Sequence, residues 1–70
     1  MDEAPSITLN GAPHPLSPGQ SVRDLLQHLG LADVPVLVER NGTALFPREF
    51  PTTLLAPGDQ VELIRIVAGG

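Results

Sequence analysis

The sequence predicts an α+β protein in which a mixed sheet of four to five strands packs on one helix. Three observations support this prediction: segments that alternate between apolar and polar residues, two Asn-Gly pairs that suit tight hairpins, and one segment with apolar residues at helical spacing. Strands grouped around a single helix indicate a sheet that the helix covers on one face. With 70 residues, the chain allows a single domain, residues 1–70, with one modest core.

The first hairpin is predicted around Asn10-Gly11, because both residues tolerate the positive φ angles of a two-residue turn. The residues before the turn alternate between apolar and polar, as in a half-buried strand. On the returning strand, Pro13 and Pro15 lack backbone N–H groups on the same side. The second strand is therefore expected at an edge of the sheet.

The helix is predicted to begin after Ser21, which suits an N-cap, with Asp24 three residues later in the pattern of a capping box. Gly30 suits a left-handed C-terminal cap. Apolar residues of the segment recur at helical spacing and form one stripe: Val22, Leu25, Leu26 and Leu29.

The second half of the chain predicts another hairpin at Asn41-Gly42 and, after an irregular stretch, a last strand over residues 60–67. Within the irregular stretch, Leu54 and Leu55 are expected to fill one end of the core. The last strand is the longest and most apolar, so we expect it at the centre of the sheet beside the first. The predicted core comprises Ile7, Leu9, Val22, Leu25, Leu26, Leu29, Val36, Val38, Val61 and Leu63.

Composition narrows the classes of partner. The net charge is -4 and the four cations are isolated arginines, so a nucleic-acid surface is not expected, whereas a basic face on a partner protein fits. The apolar runs are far shorter than the ~18 residues of a membrane span. Because the N-terminus is acidic where a secretory signal would be basic, we expect a cytoplasmic protein.

No constellation of side chains predicts an enzyme, a metal site or a cofactor site. There is no cysteine, and His14 and His28 are expected to lie apart, on an edge strand facing out of the hairpin and at a helix end. Ser6, Ser17 and Ser21 have local structural explanations. We therefore expect a carrier or binding protein with no metal and no cofactor.

The C-terminal residues offer a different chemistry. Ala68, Gly69 and Gly70 follow a predicted strand with almost no side-chain bulk, so they could thread a narrow channel and present the carboxylate of Gly70. Taken alone, two terminal glycines are more simply explained as an idle, frayed tail. We expect residues 1–5 and 68–70 to be flexible.

Four longer motifs favour the functional interpretation, and through them the sequence resembles the ThiS family of bacterial thiamine-biosynthesis sulfur carriers over nearly its full length. The motifs are Pro18-Gly19-Gln20-Ser21-Val22, Phe46-Pro47-Arg48-Glu49, Pro57-Gly58-Asp59-Gln60-Val61-Glu62 and Arg65-Ile66-Val67-Ala68-Gly69-Gly70. The Pro-Arg-Glu segment and the Val-Ala-Gly-Gly ending are the more specific ones. The resemblance implies a β-grasp, ubiquitin-like fold.

The resemblance also implies a chemistry and its partners. An E1-like enzyme similar to ThiF would adenylate Gly70, and sulfur from a donor such as a cysteine desulfurase persulfide would replace AMP. The resulting thiocarboxylate would donate sulfur to a thiazole synthase similar to ThiG. Two features of the composition agree with sulfur carriage at the C-terminus. Without cysteine the chain cannot hold sulfur as its own persulfide, and without lysine it cannot form ubiquitin-like polymers linked through side-chain amines.

The last strand also predicts a docking surface. Ile64 and Ile66 fall in the phase of the polar residue Glu62, so they should lie on the sheet face that the helix leaves uncovered. With Val67 they are expected to bind the partner enzymes.

Three alternatives remain open at this stage. The carrier could serve molybdopterin synthase or tRNA thiolation, which use the same terminal glycine. The chain could be an interaction module without chemistry, or, least favoured, a stand-alone enzyme.

Overall fold

The computed structural model describes residues 4–67, and in it a helix packs against one face of a five-stranded mixed sheet. The elements are β1 (Ser6–Leu9), β2 (Ala12–Pro15), α1 (Val22–His28), β3 (Val36–Arg40), β4 (Thr43–Leu45), a 3₁₀ turn (Pro47–Glu49) and β5 (Gln60–Arg65). The strand order is β2-β1-β5-β3-β4. The predicted fold class is confirmed, while residues 1–3 of the expected flexible N-terminus, and the tail 68–70, lie outside the described residues.

Strand β5 occupies the centre of the sheet, as predicted. It runs parallel to β1, where Leu9 lies opposite Val61, and antiparallel to β3, where Val38 lies opposite Leu63. Strand β2 pairs with β1 and lies at the edge, and just beyond it the N–H of Leu16 donates to the carbonyl of Pro5 at 3.0 Å. The two hairpins of the chain are therefore joined through β5.

Both predicted Asn-Gly turns form, and their asparagines also bind β5. Asn10 and Asn41 have positive φ angles of 49° and 51°. The Oδ1 of Asn10 accepts a hydrogen bond from the N–H of Leu63 at 2.8 Å, and the Oδ1 of Asn41 accepts one from the N–H of Gln60 at 2.8 Å. Glycine would tolerate the same turn but could not make these bonds.

The predicted capping box holds the start of α1. The Ser21 hydroxyl accepts a hydrogen bond from the N–H of Asp24 at 3.0 Å, and the Asp24 carboxylate accepts one from the N–H of Ser21 at 3.0 Å. These bonds favour the ionised carboxylate and lower the pKa of Asp24. Gly30 has the predicted left-handed φ, 75°, just after the helix.

The core is smaller than the sequence predicted. It consists of Ile7, Val22, Leu25, Leu26, Val36, Val38, Leu55 and Val61. Leu9, Leu29 and Leu63, which were predicted to be buried, pack only partly against it, because a seven-residue helix covers little of a five-stranded sheet.

The segment between β4 and β5 differs in two respects from the prediction. A 3₁₀ turn, Pro47–Glu49, replaces its irregular start, and the Glu49 carboxylate accepts a hydrogen bond from the N–H of Phe46 at 2.7 Å. Leu55 is buried as expected, but the prediction for Leu54 is wrong, since Leu54 is 59% exposed. The chain is extended where Leu54 pairs with Ser21, and neighbouring side chains of an extended segment point to opposite sides.

A nearly buried carboxylate joins the second hairpin to the turn before β5. Asp59 is 7% exposed, and its Oδ2 accepts hydrogen bonds from the Arg40 Nε and from the N–H of Ala56, both at 2.8 Å. Its Oδ1 accepts one from the Asn41 amide at 3.1 Å. Burial alone would raise the pKa of Asp59, but these hydrogen bonds and the Arg40 charge outweigh it and lower the pKa.

Replacing this carboxylate should give a pH-dependent loss of stability. We expect Asp59→Asn to lower the free energy of unfolding by about 1–2 kcal/mol at neutral pH, a value discounted for the partly exposed Arg40. Because the folded-state pKa is lowered, this contribution is complete above the unfolded-state pKa and disappears as the pH falls below about 4.

Urea denaturation of both proteins at neutral pH and at pH 3 measures this difference. Asp33→Asn, which removes an exposed carboxylate, is the matched control and should change stability little at either pH. An Asp59→Asn effect that was equal at both pH values would contradict the assignment.

Candidate functional site

The sheet face opposite α1 carries an apolar pair at its centre. Leu37 on β3 lies directly opposite Ile64 on β5, and the two side chains are 38% and 48% exposed. On the helix side of the same two strands, Val36, Val38 and Val61 are buried. The uncovered face is apolar at this point because β3 and β5 carry apolar residues on that face as well as on the face that packs against α1.

The next pair on this face is acidic. Glu39 and Glu62 lie directly opposite each other, two residues along each strand from the apolar pair. Like charges at opposed positions of an antiparallel ladder are destabilising, and a cationic partner would relieve the repulsion. We call these four residues, Leu37, Glu39, Glu62 and Ile64, the open face.

Strand β5 leads from the open face towards the C-terminus. Beyond its end, the N–H of Ile66 donates to the carbonyl of Pro35 at 3.0 Å, which extends the pairing with the β3 side by one residue. Ile66 is 57% exposed and Val67 is 84% exposed. The main chain is thus held by hydrogen bonds as far as Ile66, and the next residue, Val67, has a largely exposed side chain.

The predicted site residues divide into two groups. Ile64, Ile66 and Val67 are all exposed, at or just beyond the end of β5. Ala68, Gly69 and Gly70 lie outside the described residues. Ile66 also borders a groove between the end of α1 and the 3₁₀ turn; other residues that line it include Leu26, Leu31, Val34, Phe50 and Pro51.

The exposure of the apolar side chains of Leu37 and Phe46 was not predicted from the sequence. The alternation of Val36, Leu37 and Val38 contained the signal for Leu37, because the outer two residues suffice for the core side. Phe46 is 60% exposed, and the guanidinium carbon of Arg48 lies 4.8 Å from the centre of its ring, as in a cation–π contact.

The two histidines lie closer together than the sequence suggested. His14 pairs with Ile7 in the β1–β2 ladder, so it faces α1 and not out of the hairpin, and its ring centre is 6.0 Å from that of His28. The predicted outward orientation of His14 is wrong because the two-residue turn at Asn10-Gly11 sets a register that puts His14 opposite the buried Ile7. In residues 4–67, no group of three or more His, Cys, Asp or Glu residues is placed to share a metal ion.

The sequence of this chain, from β1 to its last residue, matches a family of known proteins. The model of the ThiS family matches residues 7–70. The chain belongs to the ThiS family. The resemblance seen in the four sequence motifs is thereby confirmed, and none of the helices in the described part of this ThiS-family protein is long and apolar enough to cross a membrane.

Individual relatives agree with the family assignment. The chain is 34% identical over 64 residues to the sulfur carrier protein ThiS of Thermus thermophilus, covering 91% of this chain and 98% of the relative. It is 38% identical over 65 residues to the uncharacterized protein ycf40 of Porphyra purpurea, covering 93% and 92%. The crystal structure of the thiamine biosynthesis protein ThiS from Geobacter metallireducens matches with a TM-score of 0.79 at 34% identity, covering 93% and 99%.

The exposed position of Ile64 predicts that it contributes little to stability. We expect Ile64→Ser to lower the free energy of unfolding by less than about 1 kcal/mol. Val61→Ser on the same strand is the matched control and should cost at least about 2 kcal/mol, because Val61 is 1% exposed. Urea denaturation measures both, and equal losses would mean that the open face is part of the core.

Proposed function

We propose that this ThiS-family protein carries sulfur on the carboxylate of Gly70 during formation of the thiazole moiety of thiamine. The observation that carries the proposal is the end of β5, where the main chain is hydrogen-bonded as far as Ile66 and the exposed Val67 leads in sequence to Ala68-Gly69-Gly70. The similarity to the sulfur carrier protein of Thermus thermophilus supports the same function. On this proposal the protein is a cytoplasmic carrier on which enzymes act, and it is not itself a catalyst.

The proposed chemistry activates a poor electrophile. An E1-like enzyme of the ThiF type joins the Gly70 carboxylate to the α-phosphate of ATP and releases pyrophosphate. The terminal sulfur of a persulfide, such as that of a cysteine desulfurase, attacks the carbonyl carbon and expels AMP, which forms an acyl disulfide. A second thiol cleaves the S–S bond and leaves the thiocarboxylate, whose sulfur passes to a thiazole synthase of the ThiG type.

The length and slenderness of the tail fit this role. Gly70 is four residues beyond Ile66, the last anchored residue, so its carbonyl carbon lies no more than about 16 Å from the Cα atom of Ile66. Ala68 and Gly69 add almost no side-chain volume, so a narrow channel could admit them. A partner that docks on the body of the protein would therefore hold Gly70 within a small volume.

We further propose that the open face, together with Ile66 and Val67, is where these enzymes dock. Leu37 and Ile64 supply an apolar centre, and Glu39 and Glu62 supply negative charge beside it. A partner surface with an apolar patch flanked by Lys or Arg would complement both features. The location beside the exit of β5 would place the tail at the edge of the interface.

Removal or extension of the C-terminus tests the carrier function. The protein is incubated with a ThiF-type enzyme, ATP and a persulfide donor, and its intact mass should rise by the difference between sulfur and oxygen. Deletion of Gly70, or addition of one alanine after it, should abolish this rise, because the proposed adenylation takes place at the carboxylate of Gly70 as the last residue. Both variants should melt at the temperature of the parent protein.

An alanine added before Met1 is the matched control and should leave the mass change intact. Full conversion of the variant extended at the C-terminus would contradict the proposal.

Substitution on the open face tests docking separately from chemistry. We expect Ile64→Ser to weaken binding to the ThiF-type enzyme by more than about fivefold, since apolar anchors at the centre of an interface contribute over 1 kcal/mol. Leu54→Ser is the matched control, because Leu54 is similarly exposed but lies beside the start of α1. Titration calorimetry gives both affinities. Equal weakening by the two variants, or none by Ile64→Ser, would place the docking surface elsewhere.

A further inference from the structure

The contact between the edge strand and the end of the helix brings the chain's two imidazoles together. His14 on β2 is half-buried, His28 in the last turn of α1 is exposed, and together with Pro15, Ser17 and Gln20 they line a small surface cleft. The ring centres are 6.0 Å apart and the ring planes meet at 68°. Neither histidine is part of the open face or of the tail exit.

Both histidines are carried by firmly held main chain. His14 sits in the β1–β2 ladder opposite Ile7, whose side chain is 1% exposed. His28 follows the buried Leu25 and Leu26 on α1. The base of the cleft is also fixed, because the Oε1 of Gln20 accepts a hydrogen bond from the N–H of Ser17 at 3.2 Å. The separation of the two main-chain positions is therefore set by a strand and a helix and does not depend on a loop.

This distance is close to that of two imidazoles on one metal ion. With a metal–nitrogen distance of about 2.0–2.1 Å, each ring centre lies about 3.2 Å from the ion, so two ligated rings are at most about 6.4 Å apart and about 5.2 Å apart at a tetrahedral angle. The observed 6.0 Å falls between these values. A closure of about 1 Å, within reach of side-chain rotation of the exposed His28, gives the tetrahedral arrangement.

We propose that His14 and His28 form a two-histidine site for a divalent late transition metal ion, with water in the remaining coordination positions. Imidazole nitrogen favours Zn²⁺, Ni²⁺ and Cu²⁺ over Mg²⁺ and Ca²⁺, which prefer oxygen ligands. The net charge of -4 adds a general attraction for cations. The bound ion would connect the edge strand β2 to α1, so it would stabilise the folded state.

The composition makes the site easy to test, because the chain contains two histidines and no cysteine. Protein without an affinity tag is titrated with Zn²⁺ and followed by calorimetry and by the NMR signals of the histidine rings. We expect one ion per chain, shifts of both ring signals, and a melting temperature that rises by about 5 °C or more at ten times the dissociation constant. Mg²⁺ should produce none of these effects.

Variants separate chelation from scattered surface binding. His14→Gln and His28→Gln should each weaken Zn²⁺ binding by at least about tenfold. Each single variant keeps one imidazole that can bind Zn²⁺ only weakly as a lone ligand, so the double variant should lose this residual binding as well. Asp33→Asn, which removes an exposed carboxylate that lines the other groove, is the matched control and should leave the affinity unchanged.

Three results would overturn the proposal: single variants that bind Zn²⁺ within twofold of the parent, a stoichiometry of two ions with independent losses from each histidine, or binding that Asp33→Asn weakens as strongly. The melting temperatures of the metal-free variants are measured first, so that a folding defect cannot be mistaken for a lost ligand. Sulfur transfer by the double variant should equal that of the parent protein, because the site lies apart from the carrier function.

Discussion

The central position of β5 is the constraint on which the rest of the structure depends. Each hairpin has its own turn, and within the sheet formed by residues 4–67 the two hairpins are joined through β5, which lies between β1 and β3. The polar contacts reinforce this arrangement, since the side chains of Asn10 and Asn41 bind main-chain N–H groups of β5 and Asp59 connects the preceding turn to Arg40. The strand that assembles the sheet is also the strand that leads to Gly70, so folding and the presentation of the tail rest on the same contacts.

The sequence was sufficient for the fold because local and global signals agree in this chain. The Asn-Gly turns, the capping box at Ser21 and the two prolines of β2 each predicted the structure that formed. Burial was predicted less well: Leu54 and Leu55 are both leucines, and only the pairing of Leu54 with Ser21 decides which of them enters the core. The contact between His14 and His28 was missed for a similar reason, because it depends on register and not on composition.

The candidate site was partly predictable. The phase of Ile64 within β5 was sufficient to predict its exposure, but the partner across the ladder, Leu37, and the opposed pair Glu39 and Glu62 required the register between β3 and β5. A five-stranded sheet with a seven-residue helix leaves one face uncovered, whatever its side chains are. On our proposal, the two apolar and two acidic residues of this uncovered face would favour a partner surface that is apolar and carries cations.

The way β5 ends has a mechanical consequence. On the proposed function, an enzyme that draws the C-terminal residues into a channel along the line of β5 would pull on the chain from Val67 onward. Five residue pairs between Val36–Arg65 and Arg40–Val61 then resist the load together in shear, and they do not open one at a time as in peeling. Because β1 lies on the other side of β5, force applied at the tail is spread over both halves of the sheet. The sheet should therefore resist unfolding when force is applied to the last residues of the chain.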